Sequence, residues 1–197
     1  MTTRPPSGRL QLRITIENIE PAIWRRVVVA DRLTFSQLHA VIQRAMGWED
    51  CHLHEFQIGE MRIGMKDDSE GFWDKENAEA LTETDTTLAA ALTADRKVRY
   101  WYDFGDDWWH EIVVEKRLPP DPDAPLAVLT DGARACPPED SGGPCGYADL
   151  LAALVDPKHP EHEEIKEWAP DFDPERFNLE TAADQVAKAV RKRSKRR

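Results

Sequence analysis

The stretch "YWYDFGDDWWHEIVVE", from Tyr100 to Glu115, brings aromatic rings, carboxylates and one imidazole into a single short segment. Carboxylates and an imidazole that meet in a ring-lined pocket can bind a metal ion or transfer protons. The same segment can also be an ordinary β-hairpin with an acidic "GDD" turn, because Gly and Asp tolerate left-handed backbone conformations. The candidate ligand-binding residues of this segment are Tyr102, Asp103, Asp106, Trp108 and His110.

Alternation of apolar and polar side chains predicts how the two strands of this hairpin pair. We expect Phe104 opposite Trp108 and Lys97 opposite Glu115, because this register places the apolar side chains of both strands on one face. His110 then lies on the ring-lined face. In the plainer interpretation, His110 is a half-buried histidine with ordinary hydrogen-bond partners.

A second candidate segment is "ACPPEDSGGPCGY", Ala135 to Tyr147, in which prolines add stiffness and glycines allow close approach of the backbone. Its carboxylates can bind a divalent metal or act as a general base, and its backbone N–H groups can capture an anion where a helix begins. Thiolate chemistry at Cys136 and Cys145 is a third alternative, although their spacing matches no common zinc site. The loop can also simply cover the sheet. We expect its "PPEDSGG" stretch to lie against the "YDFGDDWWH" hairpin and to form the rim of a pocket. Its candidate residues are Glu139, Asp140, Gly142 and Gly143.

The chain before the hairpin predicts the order strand, strand, helix, strand. "LQLRITIEN" alternates with period two, and "IWRRVVVA" follows a turn and is expected to pair antiparallel with it. "TFSQLHAVIQRAMGW" predicts a helix with a capping box at Thr34 and an end at Gly47. His39 lies beside the apolar stripe and is expected to be a partly exposed surface or boundary residue rather than a ligand. "LHEFQIG" is the next strand, with a short continuation at "MRIG".

The remaining segments complete the fold prediction. Residues 66–84 lack periodicity and predict a long loop, "TTLAAALTA" a short helix, and "KVRYWYDF" and "WHEIVVEKRL" the two hairpin strands. After the linker "PPDPDAP" we expect one loop and about three helices. The predicted fold is therefore α+β, a mixed or antiparallel sheet that wraps a helix as in a β-grasp-like roll, with about three C-terminal helices.

Charge and hydropathy restrict the function classes. The chain has 197 residues and a formal net charge of -11, yet residues 188–197, "KAVRKRSKRR", hold 7 of its 26 basic side chains. An acidic body repels phosphate, so nucleic-acid contact is expected through the basic tail only. No apolar run approaches the roughly 20 residues that a bilayer requires, and no secretory signal is evident. We therefore expect a cytoplasmic protein with no membrane contact and free thiols at its cysteines.

Five ordered motifs carry a family resemblance. "PAIWRRVVV", "FSQLHAVIQRAMGWEDCHLHEF", "YWYDFGDDWWHEI", "CPPEDSGGPCGY" and "FDPERFNLE" resemble the plasmid pRiA ORF-three-like family, whose members are also labelled insertion-element passenger TnpR proteins. The resemblance covers roughly residues 10 to 180. It implies a compact α+β domain in bacteria and archaea, often near mobile elements, with no established activity. Because no serine- or tyrosine-recombinase arrangement is evident, recombination is not carried over.

Two functional hypotheses follow. The first is a binding or accessory module, associated with mobile genetic elements, that holds a protein partner or a small ligand at an aromatic and acidic pocket. The second is a metal-assisted hydrolase that uses His110 with Glu139 and Asp140. His52 or His54 in "CHLHEF" can supply a second histidine, because alternate residues of a strand share a face.

The predicted organisation is a flexible N-terminus over residues 1–9, one domain over 10–187, and the basic tail over 188–197. No cofactor is predicted, and the sequence does not decide whether a metal is bound or whether the protein is an enzyme.

Overall fold

A computed structural model describes residues 8–65, 81–93 and 96–190 of the chain. Residues 191–197 of the predicted basic tail and most of the predicted 66–84 loop lie outside these residues. The strands are β1 (Arg9–Ile16), β2 (Trp24–Ala30), β3 (His54–Ile58), β4 (Met61–Gly64), β5 (Leu81–Thr82), β6 (Lys97–Tyr102), β7 (Trp108–Leu118) and β8 (Ala127–Ala133). The helices are α1 (Phe35–Met46), α2 (Leu88–Ala91), α3 (Gly143–Val155), α4 (His162–Trp168) and α5 (Leu179–Ala189).

The described strands form one sheet in the order β5-β4-β3-β6-β7-β1-β2-β8. The short β4–β5 pair is parallel and every other neighbouring pair is antiparallel. The predicted α+β class and the three C-terminal helices α3, α4 and α5 are confirmed. Among the described residues, no helix combines the length and apolar character needed to cross a bilayer.

Helix α1 begins and ends where the sequence predicts. The Thr34 hydroxyl accepts a hydrogen bond from the Gln37 backbone N–H, and the Gln37 side chain accepts one from the Thr34 backbone N–H. Gly47 ends the helix with φ 98°, a conformation that favours glycine. The apolar stripe of α1 is buried in the core. Its packing holds the end of the helix in place, and with it the start of the connection that leads to β3.

Two features of the sheet differ from the prediction. Residues 127–133 form β8, which pairs with β2, whereas a loop was expected there. The hairpin of β6 and β7 is displaced by two residues from the predicted register, because Tyr102 pairs with Trp108, and Phe104 lies in the turn. A shift of two residues preserves which side chains share a face. His110 therefore does share the buried face with Tyr102, as predicted.

Arg25 connects the sheet to helix α1. Its buried guanidinium donates hydrogen bonds to the backbone oxygens of Ala45, Ala133 and Arg134, and it lies 3.9 Å from the centre of the Phe177 ring. Burial lowers the pKa of Arg25 to about 10, which still leaves it charged at neutral pH. This side chain connects β2 with the end of α1 and the end of β8.

Candidate functional site

The α1–β3 connection, the β6–β7 turn and the loop before α3 meet in one place, which we call the junction; it comprises residues 48–53, 102–107 and 136–143. The Trp48 indole N–H donates to the Pro137 backbone oxygen at 3.0 Å, and the Glu49 backbone N–H donates to Glu139 Oε1 at 2.8 Å. The sequence predicted that the "PPEDSGG" loop lies against the hairpin. The contacts of Tyr102 with Glu139 and of Asp106 with Gly142, described below, confirm that packing.

Asp106 occupies the N-terminus of α3. Its Oδ2 accepts a hydrogen bond of 2.9 Å from the Gly142 backbone N–H, so the anion at this helix end is a carboxylate of the chain itself. Gly143 has φ 69°, and a Cβ atom at this position would lie 2.1 Å from the Asp106 backbone oxygen. Gly143 is therefore required, because the loop packs closely on the turn. The Gly142 N–H is already bonded to Asp106, so it is not available to bind an external anion.

Tyr102 and Glu139 connect the hairpin to the loop. The Tyr102 hydroxyl donates to Glu139 Oε1 at 3.0 Å and accepts from the Cys51 backbone N–H at 3.3 Å. Burial, together with the negative charge of Glu139, raises the pKa of Tyr102 well above its usual value. The phenol therefore stays protonated and remains a donor, while Glu139 Oε2 is buried without a hydrogen-bond partner.

His52 is the histidine that meets the carboxylates. Its Nε2 lies 3.3 Å from Asp140 Oδ1, 3.6 Å from Asp103 Oδ2 and 3.9 Å from Glu139 Oε2. None of these approaches is a hydrogen bond, and Nε2 is a buried atom without a partner. The Cys51 thiol, a ring nitrogen of His52 and a Glu139 oxygen form an overlapping group whose donor atoms lie within 4.8 Å of one another.

His110, proposed from the sequence as the partner of Glu139 and Asp140, lies elsewhere. It is fully buried, its Nδ1 is 3.3 Å from the Tyr100 backbone oxygen, and its Nε2 has no hydrogen-bond partner. Burial lowers the pKa of His110 to about 4, so the ring is neutral at pH 7. The hydrolase hypothesis therefore loses the histidine on which it was built. Trp108 is also fully buried and belongs to the core.

His39 and His54 form a second, buried pair. Their rings stack with centroids 3.5 Å apart, His39 Nε2 lies 2.6 Å from Asp50 Oδ1, and His54 Nε2 lies 2.7 Å from Glu83 Oε2. The prediction that His39 is a boundary residue is wrong, since only 5% of it is exposed. Burial, and then the neighbouring His54, lower the pKa of His39.

The thiol alternative finds no support at Cys136. Desolvation raises the pKa of its thiol well above the usual range, against the opposing effect of the Arg25 charge. A thiol with a raised pKa is a poor nucleophile at neutral pH.

A cavity of about 390 Å³ adjoins the junction on the side of α3 and α4. Its lining residues are Asp140, Ser141, Gly146, Asp149, Leu150, Glu161, Glu164, Ile165 and Trp168. Asp140 thus faces both this cavity and the His52 group. The predicted pocket rim is formed by the loop, but the other wall comes from two helices rather than from the hairpin.

Sequence reasoning missed Cys51 as a site residue and treated His52 only as an alternative second histidine. His52 precedes β3, so strand alternation with His54 did not indicate its direction. The loop before β3 carries both residues, and only the packing of that loop against the segment near Glu139 brings them to the carboxylates.

The protein is of the α+β class: its described strands form one mostly antiparallel sheet of eight strands, and three helices follow the last strand. Its candidate site region is the junction. The chain belongs to the family of plasmid pRiA4b ORF-3-like proteins, whose model matches residues 9–181. This finding confirms the resemblance read from the motifs.

Two relatives extend the comparison. Uncharacterized protein y4hQ of Sinorhizobium fredii (strain NBRC 101917 / NGR234) is 35% identical over 196 residues, which cover 95% of this chain and 97% of that protein. The crystal structure of MM3350 from Methanosarcina mazei Go1, described as a protein of unknown function, superimposes with a TM-score of 0.78 at 35% identity. The superposition covers 88% of this chain and 97% of that one.

Proposed function

We propose that this protein is a binding module that holds a small organic cation in the cavity beside the junction. The observation that carries the proposal is the lining of that cavity, which combines carboxylates with apolar side chains. The carboxylates belong to Asp140, Asp149, Glu161 and Glu164, and the apolar side chains to Leu150, Ile165 and Trp168.

The charge of the lining favours a cationic ligand. Among the described residues that line the cavity there is no lysine or arginine. A protonated amine therefore gains attraction from several carboxylates, and its carbon chain can cover Leu150 and Ile165. Trp168 is 49% exposed, so its ring is open to a cation–π contact, which is worth about 0.5–1 kcal/mol at an exposed site.

The size of the cavity suits a small molecule. Its volume of about 390 Å³ lies within the range of roughly 300–1,000 Å³ that is typical of ligand pockets. Ser141 lines the cavity, but its hydroxyl has no hydrogen-bond partner and so lacks the adjacent base that an activated serine requires. These features support binding rather than covalent catalysis. A setting beside mobile genetic elements, to which the plasmid description of the family lends support, is part of this proposal.

Calorimetric titration with putrescine tests the proposal, with 1,4-butanediol as an uncharged control of the same length. We expect the diamine to bind and the diol not to bind. Replacement of both Glu161 and Glu164 with Gln should weaken diamine binding by at least about tenfold, since each lost ion contact is worth on the order of 1 kcal/mol. The matched control replaces Glu163 and Glu167 of the same helix, which do not line the cavity. Equal weakening by both double variants, or no diamine binding at all, would refute the proposal.

A further inference from the structure

The group around His52 has an electrostatic imbalance that the fold alone does not explain. Asp103, Glu139 and Asp140 converge on one imidazole nitrogen, and within the described part of the chain His52 is their one ion-pair partner. Carboxylates that converge repel one another unless a positive charge lies between them. The buried His52 Nε2 and Glu139 Oε2 atoms also lack hydrogen bonds, which is costly for polar atoms shielded from water.

The spacing of the donor atoms matches a coordination sphere. In a tetrahedral site with metal–ligand bonds of about 2.1 Å, neighbouring ligand atoms lie about 3.4 Å apart. The distances from His52 Nε2 to Asp140 Oδ1 and to Asp103 Oδ2 are 3.3 Å and 3.6 Å. His52, Asp103 and Asp140 can each offer one donor atom such that all three atoms lie within 4.8 Å of one another. Both distances are longer than an ordinary N–H···O hydrogen bond and agree with the edges of such a tetrahedron.

Two of the carboxylates are held so that one oxygen is left for the site. Asp103 is 7% exposed, and its Oδ1 accepts hydrogen bonds from the Gly105 and Asp106 backbone N–H groups, while its Oδ2 faces His52. Glu139 repeats this arrangement, because its Oε1 is bonded to Tyr102 and the Glu49 N–H while its Oε2 faces His52. Hydrogen bonds of this kind orient the ligands of metal sites.

We propose that His52, Asp103 and Asp140, with Glu139 as a further carboxylate, form a binding site for a divalent transition-metal ion. Imidazole nitrogen with carboxylate oxygen suits zinc, cobalt and nickel, whereas calcium and magnesium take oxygen ligands. The Cys51 thiol lies close enough to His52 and Glu139 to join as a softer ligand. Asp140, with 76% of its side chain exposed, stands on the open side where an ion can enter.

The two proposals can be tested separately, although Asp140 faces both the metal site and the cavity. With no metal added, we expect replacement of His52 to leave binding of the organic cation unchanged. With no organic cation added, we expect replacement of Glu161 and Glu164 to leave metal binding unchanged, whereas replacement of Asp140 should weaken both. These variants show which of the two proposals is wrong if only one of them fails.

Titration of the chelator-treated full chain with Co²⁺, followed by its visible absorption, tests the metal site, and calorimetry with Zn²⁺ provides the stoichiometry. We expect saturable binding of one ion per chain that excess Mg²⁺ does not displace. His52→Ala should abolish binding. Asp140→Asn should weaken it by at least about tenfold, a change comparable to the loss of a supporting group.

The Asp140 variant keeps the test decisive if the His52 variant folds poorly. The Asp140 carboxylate makes no hydrogen bond to any described residue, and asparagine tolerates its φ of 56° as well as aspartate does. The Glu161→Gln, Glu164→Gln double variant is the control and should bind Co²⁺ as the wild type does. Absence of saturable binding by the wild type, or unchanged affinity in either the His52 or the Asp140 variant, overturns the proposal.

Discussion

The phenol hydroxyl of Tyr102 and Oε1 of Glu139 lie 3.0 Å apart and form a hydrogen bond between residues 37 positions apart in the chain. Tyr102 ends β6 and is fully buried, whereas Glu139 lies in the loop before α3. The bond fixes the carboxylate so that its other oxygen faces His52. The junction is therefore positioned by the core of the sheet, although its residues come from loops.

Tyr102→Phe should loosen the junction without disturbing the hairpin. The variant removes the donor to Glu139 and the acceptor for the Cys51 N–H, so we expect a loss of about 1–2 kcal/mol in the free energy of unfolding. Loss of the group that orients Glu139 should also weaken Co²⁺ binding by roughly tenfold. Urea unfolding and the Co²⁺ titration measure the two effects separately. Wild-type affinity with reduced stability would show that the bond serves the fold alone.

Gly143→Ala should be among the most damaging single-methyl changes in the chain. The added Cβ would meet the Asp106 backbone oxygen at 2.1 Å, and φ is 69°. We expect a loss of at least about 3 kcal/mol in the free energy of unfolding. Gly47→Ala is the matched control, because Gly47 has φ 98° but no atom within 4 Å of the added Cβ. Its cost should be the backbone strain alone, about 1–2 kcal/mol, and comparable losses in the two variants would contradict the packing argument.

His110 should make the protein less stable in mild acid. Burial lowers its pKa to about 4 in the folded state, below the unfolded value of 6.5, so the unfolded chain binds more protons below pH 6.5. The contribution of neutral His110 to the free energy of unfolding is therefore fully present above pH 6.5. It is lost as the pH drops toward 4, by up to about 3 kcal/mol. His110→Gln removes this titration. Urea unfolding at pH 7, 6 and 5 should show a shallower decline for the variant, and parallel declines would contradict the assignment.

Local patterns were sufficient to predict much of the fold. The capping box at Thr34 and the glycine at position 47 depend on neighbouring residues, and both are found as predicted. The shared face of Tyr102 and His110 follows from strand parity. The hairpin register was wrong because the turn sets it: the Asp107 N–H bonds to the Asp103 backbone oxygen at 2.7 Å, with both residues at positive φ. The alternation of apolar and polar residues cannot distinguish two registers that differ by two residues.

The site was less predictable, because it depends on which loops pack together. The sequence indicates the acidic loop and the hairpin turn as site segments but predicts His110 as the histidine between them. His110 lies on the buried face of β7 and belongs to the core, whereas His52 lies in a connection that can reach the carboxylates. Strand β8 was missed because the apolar run of "AVLTDGA" is only three residues long and is followed by Thr, Asp and Gly, which are typical of turns, whereas the strand is defined by its pairing with β2.

Arg25→Met should be strongly destabilising although methionine is apolar and of similar length. The guanidinium is 1% exposed and donates to the backbone oxygens of Ala45, Ala133 and Arg134, which would remain buried without partners. We expect a loss of about 3–5 kcal/mol in the free energy of unfolding, measured with urea at pH 7. Arg13→Met is the matched control, because Arg13 lies over the Trp24 ring, 4.1 Å from its centre, on the opposite face of the sheet. Loss of a cation–π contact there should cost no more than about 1 kcal/mol. Similar losses in the two variants would mean that the buried carbonyl groups find other donors and that Arg25 does not hold the sheet and helix α1 together.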